Sequence, residues 1–339
     1  MTLVDLRDPS SFPTRRVEAW KYTDLRRWLR ETPPTSGEAS VEPGGPFAAL
    51  GGEERAFVNG RCEGVPRIVA EGVVDAPMRL RFVSTEAGAG HQATVQVEVA
   101  AGGALTLLES HEGRAADYVS NIALNISVGD GARLTRIVLA DDAEDAIALS
   151  RADVTLGAGA TFNQTLIASG AKLQRLETHV AHPGQGASVR MDGLYLLSGA
   201  RHADLTSVVT HQGADGVTSQ LAKGVVRDTA RGVFQGKIVV ERGADGTDAR
   251  MGHHALILSE RGEVDAKPEL VIYADEVSCA HGNTVGALDE RALFYMQQRG
   301  IPADEARALL TQAFLIEVVD RIDHEGAREA VREWLTARL

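Results

Sequence analysis

Short stretches in which every second residue is apolar occupy the chain from about Ala56 to Gly286. "ARLTRIVLA" and "ATFNQTLIASG" are two of them, and a period of two is typical of β-strands that bury one face. Glycines separate one stretch from the next, where the chain has to turn. From Asp289 onward the apolar residues recur instead at helical spacing. The pattern therefore predicts a long β region followed by helices.

The β region contains an internal repeat that is marked by glycine–alanine pairs. Successive pairs are 28, 28, 27, 27 and 30 residues apart. The pairs are Gly103–Ala104, Gly131–Ala132, Gly159–Ala160, Gly186–Ala187, Gly213–Ala214 and Gly243–Ala244. A period of this length signals a solenoid, and the stretches between the glycines do not resemble paired amphipathic helices. Each repeat is therefore predicted to consist of two strands and two turns.

Stacking such repeats predicts a mainly β fold, a right-handed parallel β-helix with two facing sheets. One coil alone cannot bury its inward Val, Leu and Ile side chains, so the neighbouring coils must complete the core. Glycine suits the turns because it accepts a positive φ without a steric penalty. A β-sandwich is the alternative that the strand pattern leaves open.

Helical segments are predicted on both sides of the β region. Apolar residues at helical spacing lie between about Arg15 and Arg30, and Asp289 and Asp323 are predicted helix N-caps near the other end. The predicted domains are an N-terminal helical segment (1–31), a mobile Pro/Gly-rich linker (32–55), the β-helix core (56–287) and a C-terminal helical subdomain (288–339). The C-terminal helices are expected to cover the open end of the β-helix.

Composition narrows the classes of function. The 339-residue chain has a formal net charge of −12, which argues against a nucleic-acid partner because phosphates would be repelled. A cytoplasmic protein without a membrane span is expected, because we see neither a signal-peptide core nor a run of roughly 18 apolar residues. The sequence lacks a Gly-x-x-x-x-Gly-Lys-Ser/Thr loop, so we expect no nucleotide cofactor and no hydrolysis of ATP.

Cys279 and His281, in "YADEVSCAHGNTVGALDE", are the candidate metal ligands. Residues i and i+2 of a strand point to the same face, and a thiolate with an imidazole suits iron or zinc. Two ligands do not complete a metal site, and the only other cysteine, Cys62, is far away in sequence. The alternative is a small buried cysteine beside a hydrogen-bonded histidine. The residues alone leave both interpretations open.

Other polar residues give weaker indications. Eight histidines are interpreted as solvated or structurally hydrogen-bonded: His91, His111, His179, His182, His202, His211, His253 and His254. His324 begins the last predicted helix without a partner nearby. Asp192, Asp204 and Asp228 fall in successive coils, but no fixed spacing brings two of them into register for acid–base catalysis.

Three blocks resemble a known family. "RRVEAWKYTDL", "KPELVIYADEVSCAHGNTVG" and "ALFYMQQRGIPADEARALLTQAFL" occur in this order, and the last two are nearly continuous from Lys267 to Leu315. Together they are similar to the SufB/SufD family of iron–sulfur cluster assembly proteins. Of the two branches the chain resembles SufD more, because SufB-type chains are longer and richer in cysteine.

The resemblance implies a non-catalytic scaffold subunit. A SufD-type chain pairs with SufB, each of the two binds a copy of the ATPase SufC, and the assembly builds iron–sulfur clusters. It implies that His281, and less strongly Cys279, contributes to a transient iron or cluster site shared with SufB at the end of the β-helix. It also implies that the C-terminal helices dock SufC. A homodimer of the isolated chain stays possible at this stage.

A β-helical carbohydrate-active enzyme, a lyase or a hydrolase, is the alternative from another functional class. Such enzymes place carboxylates or basic residues together on one face of the coils. Co-purification separates the two hypotheses, because a SufD-type scaffold should bring down SufB and SufC.

Overall fold

The computed structural model describes residues 4–339 and contains two parallel β-sheets that enclose one core. The odd sheet has the order β1 (Glu53–Val58), β3 (Met78–Ser84), β5 (Ala104–Gly113), β7 (Arg133–Asp141), β9 (Thr161–Ala168), β11 (Ser188–Leu197), β13 (Val217–Val226), β15 (Asp248–Ile257) and β17 (Ser278–Gly286). The even sheet has the order β16 (Glu263–Ile272), β14 (Arg231–Val240), β12 (His202–His211), β10 (Leu173–His182), β8 (Ile147–Leu156), β6 (Val119–Val128), β4 (Gly90–Val99) and β2 (Arg67–Ala70). The α-helices are α1 (Leu25–Trp28), α2 (Glu290–Gln298), α3 (Ala303–Val319) and α4 (Glu325–Thr336).

Neighbouring strands run parallel and pair over nearly their whole length. β11 pairs with β13 from Ser188 opposite Val217 to Leu197 opposite Val226, for example. Strands that follow one another in sequence belong to alternate sheets, so the chain winds as a solenoid. This confirms the predicted parallel β-helix with two sheets. The alternative β-sandwich is wrong, since its sheets would be antiparallel.

A narrow apolar core fills the space between the two sheets. Val95, Leu124 and Ala152 occupy paired positions in β4, β6 and β8, and all three are fully buried. Burial of one such Val or Leu side chain stabilises the fold by about 1.5–3 kcal/mol. Tyr195 is the bulkiest inward residue of its coil, and a Cβ atom on Gly224 would lie 1.8 Å from its ring. Glycine in a strand is therefore required at that close approach.

The glycine–alanine pairs do not all occupy equivalent turns. Gly131, Gly159 and Gly186 each lie two residues before a strand of the odd sheet, have positive φ, and donate their N–H to the next coil. In three other coils this position belongs to Gly102, Asp215 and Gly246, which also have positive φ. In those coils the glycine of the glycine–alanine pair lies one to three residues away from this turn position, because the turn lengths vary. The repeat is thus correct in period, and the positional correspondence is wrong outside the central coils.

Replacing Gly159 by Val should destabilise the protein by about 1–3 kcal/mol. Its φ is +61°, and a Cβ atom would meet nothing within 4 Å, so the penalty comes from the backbone alone. Gly159→Asn should be milder, since asparagine adopts this conformation more readily. Gly72→Val is the matched control, because Gly72 has equal space and no positive φ. Urea unfolding measures the difference, and equal losses at both positions would refute the assignment.

The N-terminal segment packs on the outer face of the even sheet. The apolar side chains involved are Leu6, Phe12, Trp20, Leu25 and Leu29, which contact Val119, Ile147, Leu149 and Leu173 of β6, β8 and β10. The helix predicted over about Arg15–Arg30 is wrong in extent, since only Glu18–Trp20 and Leu25–Trp28 form short helical turns. Packing onto the sheet, rather than helix propensity, fixes the apolar residues of this segment.

The Pro/Gly-rich stretch 32–55 also contacts the β-helix. Ser36 donates its N–H to the carbonyl of Gly90, which itself donates to the carbonyl of Pro34. Phe47 is buried among residues of the odd sheet and α4. The last residues of the stretch, from Glu53, already belong to β1.

The C-terminal helices lie along the outer face of the odd sheet. Leu315, Val318, Val331 and Leu335 are fully buried there, against a row that includes Leu194. The expectation that these helices close the end of the β-helix is therefore wrong: they cover its side. Asp289 caps α2 as predicted, whereas α4 is capped by His324, whose Nδ1 accepts the N–H of Ala327. Within residues 4–339 no helix is both long and apolar enough to cross a membrane.

Candidate functional site

The last coil leaves one end of the β-helix open. β16 and β17 are the outermost strands of their sheets, so each presents one edge that pairs with no strand of residues 4–339. Their residues are half-buried or exposed, whereas seven of the ten residues of β14 are buried. Ile272, Tyr273 and Val285 are exposed apolar side chains at this end. An edge of this length with apolar neighbours is a surface suited to pairing with another chain.

β17 places both candidate ligands on its inward face. Cys279 pairs with Ala249 and His281 with Met251, and both partners are buried inward residues of β15. Cys279 is half-buried and packs against the main core, while His281 is exposed where the next coil would stand. The sequence thus predicted correctly that the two side chains share a face. That face is the interior of the β-helix where it opens to solvent.

The donors of this chain do not form a complete metal site. Residues 4–339 contain no group of three or more His, Cys, Asp or Glu side chains that could hold a metal ion. Burial raises the pKa of the Cys279 thiol, and the Asp248 carboxylate adds to the rise. A metal binds the thiolate, so in the free chain this cysteine is a weak ligand and a poor nucleophile. Cys62 follows β1, at the opposite end of the sheets, and cannot assist.

A chain of hydrogen bonds connects this inward face to the core. The Tyr195 hydroxyl lies 3.0 Å from Nε2 of His253, and Nδ1 of His253 lies 2.7 Å from Oδ1 of Asn283. The His253 ring also stacks on Phe234, with 4.7 Å between the ring centroids. Burial lowers the pKa of His253 to about 4, so the imidazole is neutral near pH 7. His253 fixes Asn283, the inward residue that follows His281 on β17.

His253 is hydrogen-bonded, in agreement with its interpretation from the sequence, but sequence reasoning did not connect it with the candidate site. His253 and the adjacent His254 point to opposite faces of β15, since successive residues of a strand do so. His254 faces outward and contacts the hydroxyl of Thr284, with 2.7 Å between Nδ1 and Oγ1. Asn283 follows His253 by 30 residues, which is close to the repeat length. The repeat could therefore have predicted that these two residues lie side by side in neighbouring coils.

His182 contradicts the interpretation as solvated or hydrogen-bonded, whereas its neighbour His211 keeps one hydrogen bond. His182 and His211 are paired residues of β10 and β12, both fully buried, with 4.1 Å between ring centroids. Neither ring nitrogen of His182 has a hydrogen-bond partner within residues 4–339. His211 contacts the Thr218 hydroxyl through Nε2, at 2.9 Å, and its Nδ1 has no partner there. Burial is the main cause that lowers the pKa of His182 to about 3 and of His211 to about 4.

A second exposed apolar surface lies on α2. Phe294 is 63% exposed and Tyr295 is 59% exposed, while Leu293 is the buried residue of this helix. Leu309 of α3 is also exposed. Two large aromatic side chains left in solvent on one helix mark a surface suited to a protein partner.

Known proteins similar to this chain belong to iron–sulfur cluster assembly. The iron–sulfur cluster assembly protein SufD of Escherichia coli is 32% identical over 225 residues, which cover 66% of this chain and 53% of that protein. A SufBD family protein of Synechocystis is 30% identical over 221 residues, 65% of this chain and 49% of that protein. A SufBD family protein of Mycobacterium tuberculosis is 27% identical over 363 residues, 98% and 89% respectively. The chain spans about half the length of the first two relatives.

A family model describes the same relationship by its domain. The model of the SufBD core domain, described as SUF system FeS cluster assembly, matches residues 82–314. That range covers more than half of the chain and includes most of the β-helix, the open end and α2. The chain therefore belongs to the SufB/SufD family of iron–sulfur cluster assembly, and within that family it is SufD-like.

Proposed function

We propose that this chain is the non-catalytic SufD-type scaffold of a Suf complex with SufB and the ATPase SufC. The open last coil is the observation that carries the proposal. It combines two unpaired strand edges with an inward pair of donors, Cys279 and His281, that is too small to hold a metal alone. Such an end is complete only when a second chain adds strands and ligands.

SufB is proposed to dock on the edges of β16 and β17. Main-chain hydrogen bonds to both edges would extend the two sheets across the junction, and exposed Ile272, Tyr273 and Val285 would become buried. The same junction would enclose His281 and Cys279 between the two chains. Iron or a nascent cluster is the cargo at this point, and SufB supplies the ligands that this chain lacks.

His281 is the stronger of the two proposed ligands. It is exposed on the inward face, so its imidazole can reach a metal at the junction without a change of the core. Cys279 packs partly into the core, and its raised pKa holds the thiol protonated until a metal or a cationic partner group approaches.

SufC is proposed to dock on α2. Replacing both Phe294 and Tyr295 by Ala should weaken SufC binding by at least tenfold, because these exposed rings would be the apolar centre of the contact. Binding is measured by titration of purified SufC, and the double variant Val65→Ala/Val73→Ala is the control, because it shortens two apolar side chains of similar fractional exposure elsewhere. Unchanged affinity in the α2 variant, or equal loss in both, would contradict this docking site.

Point variants are a better test than removing the helices. A chain ending at Leu288 would expose the apolar face of the odd sheet that α3 and α4 cover, and would lose stability for that reason. Hydrolysis of ATP is expected only after SufC is added, since the sequence lacks a phosphate loop.

The alternative carbohydrate-active enzyme gains no support from the three aspartates. Asp192 pairs with Arg321, and Asp204 pairs with Arg175; both carboxylates are fully buried. Asp228 lies in a turn, where it accepts the N–H of Gly199. None of the three faces another across an accessible groove, as acid–base cleavage of a glycan requires.

A further inference from the structure

A cavity of about 590 Å³ lies between the N-terminal segment and the even sheet. The block "RRVEAWKYTDL" supplies Arg15, Lys21 and Asp24 to its wall, and α1 adds Arg27 and Trp28. The facing wall comes from the first residues of β10, β12, β14 and β16. A cavity of this volume matches the size of a small molecule. None of its lining residues belongs to the inward face that carries His281.

The cavity concentrates positive charge in a chain whose net charge is −12. Five of its lining residues are cationic and two are acidic: Arg15, Lys21, Arg27, Lys172 and Arg231 against Asp24 and Glu263. Arg231 pairs with Asp265 and Lys172 with Asp117. Arg15, Lys21 and Arg27 form no ion pair within residues 4–339. Three uncompensated cations around one cavity create a local attraction for an anion that the chain as a whole would repel.

The wall that carries these cations is held firmly to the sheet. Trp20 is buried, and the guanidinium of Arg175 lies 4.3 Å from its ring centroid. The buried Thr23 hydroxyl donates to Asp204, which also forms a 2.5 Å ion pair with Arg175. The Thr23 hydroxyl further contacts Nε2 of His202 at 3.2 Å. Lys21 and Asp24 are thus placed by a fixed backbone, which reduces the ordering that a ligand must impose.

Trp28 gives the cavity an aromatic surface. Its side chain is 44% exposed, whereas the chain's two other tryptophans, Trp20 and Trp334, are buried. The guanidinium of Arg27 lies 5.1 Å from the Trp28 ring centroid. Arginine beside an exposed indole is a combination that binds a phosphate together with a planar group, through charge-assisted hydrogen bonds and stacking.

We propose that this cavity binds a small phosphorylated molecule with a planar ring. Its phosphates would lie against Arg15, Lys21 and Arg27, and its ring against Trp28. Guanidinium and ammonium groups are strong donors to phosphate oxygens. Side chains rather than a phosphate loop hold the ligand, so binding is without hydrolysis and weakens with added salt. The sequence led us to expect that the chain binds no nucleotide cofactor, and the proposed ligand departs from that expectation.

Calorimetric titration of the full chain with inorganic pyrophosphate and with ADP, at about 50 mM ionic strength, tests the proposal. We expect saturable one-to-one binding of both, and ADP to bind at least threefold more tightly. The double variant Lys21→Gln/Arg27→Gln should weaken both by at least tenfold. Arg133→Gln/Arg242→Gln is the matched control, because it removes two exposed charges outside the cavity and should change neither affinity. Trp28→Ala should remove the advantage of ADP.

Three results would overturn the proposal. The first is no saturable binding of pyrophosphate or ADP by the wild-type chain. The second is an equal loss of affinity in the two double variants, which would indicate general charge attraction. The third is ADP binding that leaves the acrylamide quenching of Trp28 fluorescence unchanged, because a ring stacked on this indole must shield it from the quencher.

Discussion

Replacing His281 by Ala is expected to abolish iron–sulfur cluster assembly while the complex with SufB and SufC still forms. His281 is exposed and packs against little, so its loss removes a proposed ligand at almost no expense in stability. Growth of a strain that depends on this pathway should fall to that of the strain lacking the gene. Cys279→Ala should be milder, because burial keeps this thiol protonated and it is the weaker ligand.

Two controls make the His281 experiment decisive. Ser278→Ala changes an exposed residue of the same strand on its opposite face, and should support full growth. A pull-down from the same cells must recover SufB and SufC with the His281 variant. Full growth with an intact complex would leave His281 as an ordinary structural residue, whereas loss of the complex would make it a docking residue.

Acidification from pH 7.5 to pH 5 is expected to lower the midpoint of urea unfolding sharply. His91, His182, His211 and His253 are buried, and burial is the main cause that lowers their pKa values to between about 3 and 4. In the unfolded chain they take up protons near pH 6.5, so between pH 6.5 and 4 the unfolded state binds more protons. The loss is about 1–2 kcal/mol for each histidine at pH 5.

One carboxylate opposes this loss without reversing it. Burial raises the pKa of Asp192 to about 6, so this group favours the folded state as the pH falls through 6. Its single contribution is smaller than the sum from four histidines. A midpoint that stays constant or rises between pH 7.5 and pH 5 would contradict the buried neutral histidines. The midpoint is the appropriate measure, because a long repeat protein need not unfold in one step.

His182→Leu is the variant that isolates the effect. Neither ring nitrogen of His182 has a partner within residues 4–339, so leucine leaves no hydrogen-bonding group unsatisfied. The variant should equal or exceed the wild type in stability at pH 7.5, and its midpoint should fall less on acidification. A slope equal to that of the wild type would mean that His182 is accessible to protons in the folded state.

The fold was predictable because its period is carried by local rules. Turn glycines and alternating apolar residues recur with every coil, and each coil repeats the same burial problem. The sequence did not predict that Asp215 and Gly246 occupy the turn position with positive φ, because a turn can lengthen by a residue or two while the strands stay in register. The helix expected between Arg15 and Arg30 failed for a different reason. Its apolar residues pack against the even sheet, and residue spacing alone cannot distinguish a segment packed in this way from an amphipathic helix.

The candidate site was predictable only in part. The motif itself pointed to Cys279 and His281, and strand periodicity placed them on one face. Their position at the end of the β-helix was expected, but the helices that were expected to cover this end lie along the side instead. The cavity beside Trp28 depends on a long-range arrangement, since Thr23 and Asp204 meet across 181 residues of sequence. No local pattern encodes such a contact.

The unequal ends of the β-helix set a limit on how far assembly can proceed. β16 and β17 offer edges of 10 and 9 residues, whereas β1 and β2 at the far end have 6 and 4. Short edges are poor templates for further strands. With docking at the β16 and β17 edges, as proposed, two such chains would form a pair, and the pair would have no long free edge from which a filament could grow.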